Sequence, residues 1–245
     1  MDNLTVVILT KNEEENIQQV INNAKKCTDN ILVIDSGSVD KTVEFAKAAG
    51  AQVIYREWDN DFAAQRNFAL KYIITEWVLY LDADERLTEN LIVEIKKVIN
   101  KNKQALYQFE RRTSAFGKDF KYGVLSPDYV KRMFPVKDGK WQGKVHEAVY
   151  TELPVVNLNG YIKHNTYKTF EQYIHKMNIY STIWAENSNK KVNFIKDIVL
   201  RPLFAFFKMY IIQLGVLEGW LGFVLSVNYS LYTLNKYVKL KIKRG

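Results

Sequence analysis

Residues 77–85 read Trp77-Val78-Leu79-Tyr80-Leu81-Asp82-Ala83-Asp84-Glu85. Five consecutive apolar residues have strand length, and a run apolar on both faces suits a strand covered on both sides. Three carboxylates follow where the chain leaves that strand. Two of them, Asp82 and Asp84, have the spacing to hold a hard divalent cation such as Mg²⁺ or Mn²⁺. An Asp-x-Asp triplet alone is equally the mark of a solvated turn. Its place directly after a buried strand is what gives it weight.

The same rhythm runs towards the N-terminus. Leu4–Leu9 is a six-residue apolar run, followed by Ile17, Val20, Ile21 and Ala24 at helical spacing. Ile31–Ile34 is a second strand, with Val39, Val43, Ala46 and Ala49 near one helical face. Gln52–Tyr55 is a third strand, and residues 61–74 read as a helix. After Glu85, residues Leu91, Ile92, Ile95, Val98 and Ile99 trace another helix stripe. Apolar strands alternating with helices predict the α/β class, with a doubly wound, mostly parallel sheet.

In such sheets ligands bind beyond the carboxyl ends of the strands. The polar residues there are Thr10-Lys11-Asn12-Glu13, then Asp35-Ser36-Gly37-Ser38 with Asp40, then Asp82-Ala83-Asp84-Glu85. Asp35 ends a buried strand, where an unpaired carboxylate is costly. It either caps the next helix or accepts hydrogen bonds from a nucleobase or ribose. Glu13 either complements a helix dipole or contacts a ligand. Arg66, among alanines in Ala64-Gln65-Arg66-Asn67-Phe68-Ala69, either snorkels to water or points at a phosphate.

From Ala105 the rhythm changes. Residues 105–112 look like a longer strand, followed by a polar stretch through Gly143, short strands at 144–150 and 154–158, and a helix over 170–187. No repeat or Pro/Gly/Ser linker is visible, so a globular domain over residues 1–190 is expected, with a nucleotide-binding half to about 115 and an acceptor half over 116–190. Residues 191–245 form a basic, apolar helical extension. Between Lys208 and Lys236 its only charge is Glu218, and Lys239, Lys241, Lys243 and Arg244 close the chain.

Charge divides in the same way. Residues 1–100 carry 11 basic and 17 acidic side chains, and residues 101–245 carry 24 and 10, giving the overall +8. The acidic first half argues against a nucleic acid lying across the molecule, and the basic second half suits an anionic surface or substrate. Cys27, on the apolar side of a helix, reads as a core thiol and excludes an intrachain disulfide. Met1-Asp2-Asn3 leads straight into a strand, so no signal peptide is expected.

Taken together, Val6-Val7-Ile8-Leu9-Thr10-Lys11-Asn12-Glu13-Glu14, Ile34-Asp35-Ser36-Gly37-Ser38-Val39-Asp40-Lys41-Thr42, Ala64-Gln65-Arg66-Asn67 and Leu81-Asp82-Ala83-Asp84-Glu85 resemble the family-2 glycosyltransferases. That family has the GT-A fold; it usually shows Thr where Val39 stands. Trp141-Gln142-Gly143-Lys144-Val145-His146-Glu147 and the His164-x-x-Tyr167 region resemble its lipopolysaccharide-core glucosyltransferase branch. The resemblance implies that Thr10, Glu13 and Asp35 line the nucleoside site and that Arg66 approaches the base or diphosphate. Asp82, Ala83 and Asp84 would meet the diphosphate, the two carboxylates serving Mn²⁺ or Mg²⁺. It also implies an inverting transfer with Glu147 as general base and UDP as the common carrier. His146 is the rival base or a metal ligand. In a strand His146 and Glu147 point to opposite faces, so only one readily faces the donor. His164 reads either as a packed or surface histidine, the more favoured of the two, or as a ligand of metal or diphosphate.

The 209–235 run could span a bilayer, lie in its interface with basic flanks, or pack as core or an oligomer contact. Gln213, Glu218, Asn228 and Asn235 interrupt it, which favours the interface. The expected partners are a nucleotide-sugar donor, a glycan or lipid-linked acceptor and the inner face of the cytoplasmic membrane, with no nucleic acid. Two other functions fit less well. A silent membrane-surface binder would not need Asp82, Asp84 and Glu147, and a nucleotidyltransferase would show a Gly-rich loop where Thr10-Lys11-Asn12-Glu13 stands.

Overall fold

The computed structural model describes residues 3–143 and 147–244. In chain order the first elements are β1 (Leu4–Thr10), α1 (Ile17–Ala24), β2 (Ile31–Asp35), α2 (Thr42–Ala48), β3 (Gln52–Tyr55), α3 (Phe62–Leu70) and β4 (Trp77–Asp82). They are followed by β5 (Glu85–Leu87), α4 (Glu89–Lys101), β6 (Leu106–Ala115), β7 (Lys118–Asp119), β8 (Asp128–Pro135), β9 (Lys140–Gln142), β10 (Ala148–Tyr150) and β11 (Val155–Tyr167). Helices α5 (Phe170–Asn187), α6 (Arg201–Phe207) and α7 (Trp220–Arg244) close the chain.

The main sheet has the order β3-β2-β1-β4-β8-β6-β11-β5, with β7 on β6, and β9 pairs with β10 separately. Strands β3, β2, β1 and β4 are mutually parallel, whereas β8 runs antiparallel to both β4 and β6. The mixed half begins where β8 joins. The cause of the apolar runs is visible in the packing. Val6, Ile8, Val33, Leu79 and Leu81 pack with Ile17, Val20 and Ile21 of α1 and Ile92 and Ile95 of α4. Val7, Leu32, Ile34, Val78 and Tyr80 point the other way, with Ala63 and Ala69 of α3, Phe134 and Trp141. Each fully covered Val, Leu or Ile contributes about 1.5–3 kcal/mol, so covering both faces makes β1, β2 and β4 the anchor of the fold.

The chain divides into two compact units, residues 1–111 with 128–164, and residues 112–127 with 165–245. The expected boundary after residue 190 falls inside the second unit. The helix expected over 61–74 is shorter, with Asp61 as its cap: its Oδ1 accepts from the Ala64 N–H at 2.8 Å. Val39 does not belong to α2; it is exposed in the loop before that helix. The strand expected at 154–158 runs on to Tyr167, and β5 was not foreseen.

In the second unit, Phe120, Leu125, Tyr167, Tyr173 and Leu225 form a core. A capping box opens α5, with the Thr169 hydroxyl accepting from the Gln172 N–H. The apolar run at 209–235 is not one helix. It breaks at Leu214 and Gly219, both left-handed (φ 56° and 68°). Glu218 between them is buried, accepting from the Lys121 and Tyr122 N–H groups at 2.8 and 3.0 Å and pairing with Lys118 at 2.7 Å. Among the described residues no helix is long and apolar enough to cross a membrane. Lys239 is not simply a basic flank: its ammonium donates to the Asn178 carbonyl and to the Ser181 and Thr182 hydroxyls of α5.

Candidate active site

The loops leaving β1 and β2 are bonded to each other. Asn12 is left-handed (φ 56°), which asparagine tolerates. Its side chain accepts from the Val39 N–H at 2.9 Å, and its own N–H donates to the Ser38 hydroxyl at 2.9 Å. The Glu13 N–H donates to the Thr42 hydroxyl at 2.7 Å. Asp35 accepts from the N–H groups of Gly37 (2.9 Å) and Ser38 (3.0 Å) and from the Ser38 hydroxyl. It therefore shapes the loop rather than capping α2, which starts only at Thr42. The Thr10 hydroxyl is buried without a hydrogen-bond partner among the described residues, an uncommon state for a buried polar group.

At the end of β4 the Asp82 N–H donates to Oε2 of the fully buried Glu85 at 3.0 Å. Arg86 donates to the Ala83 carbonyl (2.7 Å) and the Asn16 carbonyl (3.2 Å), clamping the acidic turn to the loop after β1. Strand β5 then pairs antiparallel with β11, with Glu85 opposite His164. That register brings His164 Nε2 to 3.1 Å from Asp84 Oδ2. His164 thus stands beside Asp84, the position that the ligand reading of this histidine requires.

Arg66 does not snorkel; it is 2% exposed. Its guanidinium lies 4.7 Å from the Trp141 ring centre, a cation–π contact. Nη2 is 3.1 Å from Asp82 Oδ1, and Nε and Nη2 each approach Glu147 Oε1 at 3.2 Å. Its remaining nitrogen, Nη1, is buried without a partner among the described residues. Asn67 exchanges hydrogen bonds of 2.8 and 2.9 Å with the Trp141 backbone, holding β9 over α3.

From Asp82 the ion pairs continue. Arg132 Nη2 lies 2.7 Å from Asp82 Oδ2 and 3.6 Å from Glu85 Oε1. Arg111 lies 3.1 Å from Glu85 and 2.6 Å from Asp128. Glu147, Arg66, Asp82, Arg132, Glu85, Arg111 and Asp128 therefore form one chain of alternating charge. Burial opposes ionisation of Asp82, but Arg132 and Arg66 outweigh it and hold the carboxyl well below the usual carboxylate range. Burial likewise works against a charged Arg132, and Asp82 and Glu85 more than compensate, raising it above the ordinary arginine value. Glu13 is raised, first by burial, with Asp84 and Asp40 adding repulsion against a hydrogen bond from Asn16.

These groups border a cavity of about 970 Å³ lined by Thr10, Glu13, Ser36, Arg66, Asp82, Ala83, Asp84, Trp141 and Glu147 among others. Asp35 stands behind Ser36 and does not line it. His146 lies outside the described residues. Arg132 and Arg111 were not singled out from sequence, and Glu85 and Trp141 stood within quoted motifs with no role of their own. Arg132 abuts the apolar pair Met133-Phe134, a far weaker sign than the five apolar residues before Asp82.

Among the described residues no group of three or more His, Cys, Asp or Glu side chains is arranged to hold a metal ion. Asp84 and His164 offer an oxygen and a nitrogen 3.1 Å apart and fit a divalent cation as two ligands. Asp82 fits less well, because both its oxygens are taken by guanidiniums.

An α/β sheet of this order, with acidic loops at three neighbouring strand ends, is the architecture of the GT-A glycosyltransferases. Residues 5–152 match glycosyl transferase family 2, and the chain belongs to that family. A Rickettsia prowazekii protein named as an uncharacterized glycosyltransferase is 28% identical over 257 residues, covering 98% of this chain and 87% of its own. The SunS glycosyltransferase of the SPbeta prophage of Bacillus subtilis is 31% identical over 180 residues, 70% of this chain and 41% of its own. The crystal structure of S. aureus TarS 1–349 in complex with UDP-GlcNAc aligns with a TM-score of 0.50 at 13% identity, over 100% of this chain and 92% of that one. This last likeness speaks to the fold alone.

Proposed function

We propose that this glycosyltransferase is an inverting, metal-dependent hexosyltransferase that uses a UDP-sugar. Its acceptor would be a hydroxyl of a glycan or lipid-linked saccharide, in the synthesis of a bacterial cell-surface polysaccharide or lipopolysaccharide core. The observation that carries this reading is the convergence of Thr10, Glu13, Arg66, Asp82, Asp84 and Glu147 on one cavity. Among the described residues, three buried polar atoms on its lining side chains have no partner, Thr10 Oγ1, Arg66 Nη1 and Trp141 Nε1, and the first two are contacts a nucleoside and its diphosphate would complete. Asp35 and Ser36 shape the nucleoside end. Asp84 and His164 would hold Mn²⁺ or Mg²⁺, which, when bound, offsets the negative charge growing on the leaving diphosphate. Asp82 would act mainly by fixing Arg66 and Arg132.

Glu147 would take the proton of the acceptor hydroxyl as that oxygen bonds to the anomeric carbon. The bond from that carbon to the diphosphate breaks on the opposite face, and the nucleoside diphosphate leaves with the electron pair. In the second unit, Phe194, Leu203, Phe204, Leu217 and Trp220 are exposed beside basic residues, which supports peripheral attachment to the inner face of the cytoplasmic membrane.

The test is a panel of nucleotide-sugars with Mn²⁺, scored by thermal stabilisation and donor hydrolysis, with Asp84→Ala as control. Stabilisation by one donor that requires metal and is lost in the variant is expected. Folded protein that responds to no donor would refute the reading.

A further inference from the structure

The second unit holds its own cavity, of about 370 Å³, and none of its lining residues is among those assigned to sugar transfer. Four cations line it, Lys196, Arg201, Lys208 and Lys236, together with Leu200 and Phe204. Among the described residues no carboxylate lines it. Asp197, which neighbours the lining residue Lys196 in sequence, pairs with Arg201 and accepts from the Asn193 N–H at 2.8 Å. Lys196 and Lys208 lie on two wide, π-type turns, Phe194–Leu200 and Lys208–Ile212, that flank α6. Such turns are uncommon in helices and recur at functional sites.

Lys236 is the telling member. It is half-buried on α7, and its ammonium stacks 4.7 Å from the Tyr232 ring centre and 5.2 Å from that of Trp184. Burial and the nearby Arg201 and Lys190 lower its proton affinity. Aromatic faces offset part of that cost, and an anion would offset more. The rim is apolar in part: the lining residues Leu200 and Phe204 are both exposed, as are Leu203 and Phe207 of the same stretch of chain. A free inorganic anion would leave that rim in water, whereas an amphiphile covers it.

We propose that this cavity is a binding site for the phosphate headgroup of an anionic lipid, with Lys196, Arg201, Lys208 and Lys236 around the phosphate and the lipid chain along Leu200 and Phe204. The inference rests on the membrane-surface reading above and adds to it a defined pocket. Diffuse attraction depends on how many lysines lie near the surface, and a pocket depends on which ones.

The experiment is flotation of the full chain with phosphatidylcholine vesicles containing phosphatidic acid. Wild type is compared with Lys208→Gln/Lys236→Gln and with a charge-matched pair outside the cavity, Lys241→Gln/Lys243→Gln, all checked for folding by circular dichroism. The pocket pair is expected to weaken binding about tenfold more than the outer pair. Soluble dihexanoyl phosphatidic acid should displace the vesicles where inorganic phosphate does not. Equal losses in the two pairs would overturn the pocket and leave membrane attachment standing. No flotation of wild type on any vesicle would overturn both. Displacement by inorganic phosphate or an oligonucleotide as effective as by the short-chain lipid would also overturn the lipid assignment.

Discussion

Replacing Asp82 with Asn removes the central negative charge of the alternating chain while keeping its shape and one acceptor oxygen. The Arg66 and Arg132 side chains are 3% and 8% exposed, so neither can turn to water. Removing one partner of a buried pair costs about 3–5 kcal/mol. Here Arg66 keeps Glu147 at 3.2 Å, Arg132 keeps Glu85 at 3.6 Å, and water reaches the partly exposed Asp82. The loss should therefore fall at about 2–3 kcal/mol, once screening is allowed for. For a chain of this length that is a drop in Tm of about 4–12 °C. The sign with pH follows from the lowered carboxyl. Its contribution is full above the unfolded value of about 3.9 and is lost as pH falls towards the folded one. Urea titrations at neutral pH and down to about pH 3 should show the gap between wild type and variant narrowing with acid. A gap under about 0.5 kcal/mol at neutral pH, or one independent of pH, would refute the reasoning.

Four further outcomes are expected. Glu147→Gln should lower kcat by about 10²–10⁴ because proton removal is lost, while donor-induced thermal stabilisation persists, since the amide oxygen still accepts from Arg66 and Asp82 still pairs with Arg66; unchanged turnover would exclude Glu147 as base. His164→Ala should abolish the metal-dependent part of donor stabilisation without changing the melting of the protein alone by more than about 1–2 kcal/mol. Gly160 has φ +98°, and a Cβ there would lie 2.7 Å from the Leu91 nitrogen and 2.9 Å from its Cα. Gly160→Ala should accordingly cost about 2–4 kcal/mol by thermal melting, since backbone cannot retreat as a side chain can. Burial pushes the Cys27 thiol up to about 12, so thiol reagents at pH 8 should label it only after denaturation.

The strands and the acidic turn were legible because their signals are local. Five apolar residues before Asp82 announce a covered strand whatever lies elsewhere in the chain. The pairing of β5 with β11 is not local. It joins positions about eighty residues apart, and three residues between two carboxylates and a helix start give no strand pattern. His164 reaches Asp84 only through that pairing, so its neighbours in sequence leave it open between a packed histidine and a ligand. Arg132 was hidden because residues 116–143 read as a polar connection, and a buried arginine looks like a surface one until its acids are placed. The tail misled in another way. Glu218 reads as an interruption of an apolar run, whereas it is the buried acceptor that orders residues 118–122.

The cavity wall carries one more consequence. Among the described residues its lining cations, Lys11, Arg66, Arg111, Lys131 and Arg132, are matched by Glu13, Asp82, Asp84, Asp128 and Glu147. Without a bound divalent cation, a wall so neutralised casts little field beyond itself and does not draw a polyanionic donor from a distance. Capture then depends on collisions that already bring the donor into short-range contact. Its encounter rate should change little with ionic strength, unlike that of a site whose charges are all of one sign.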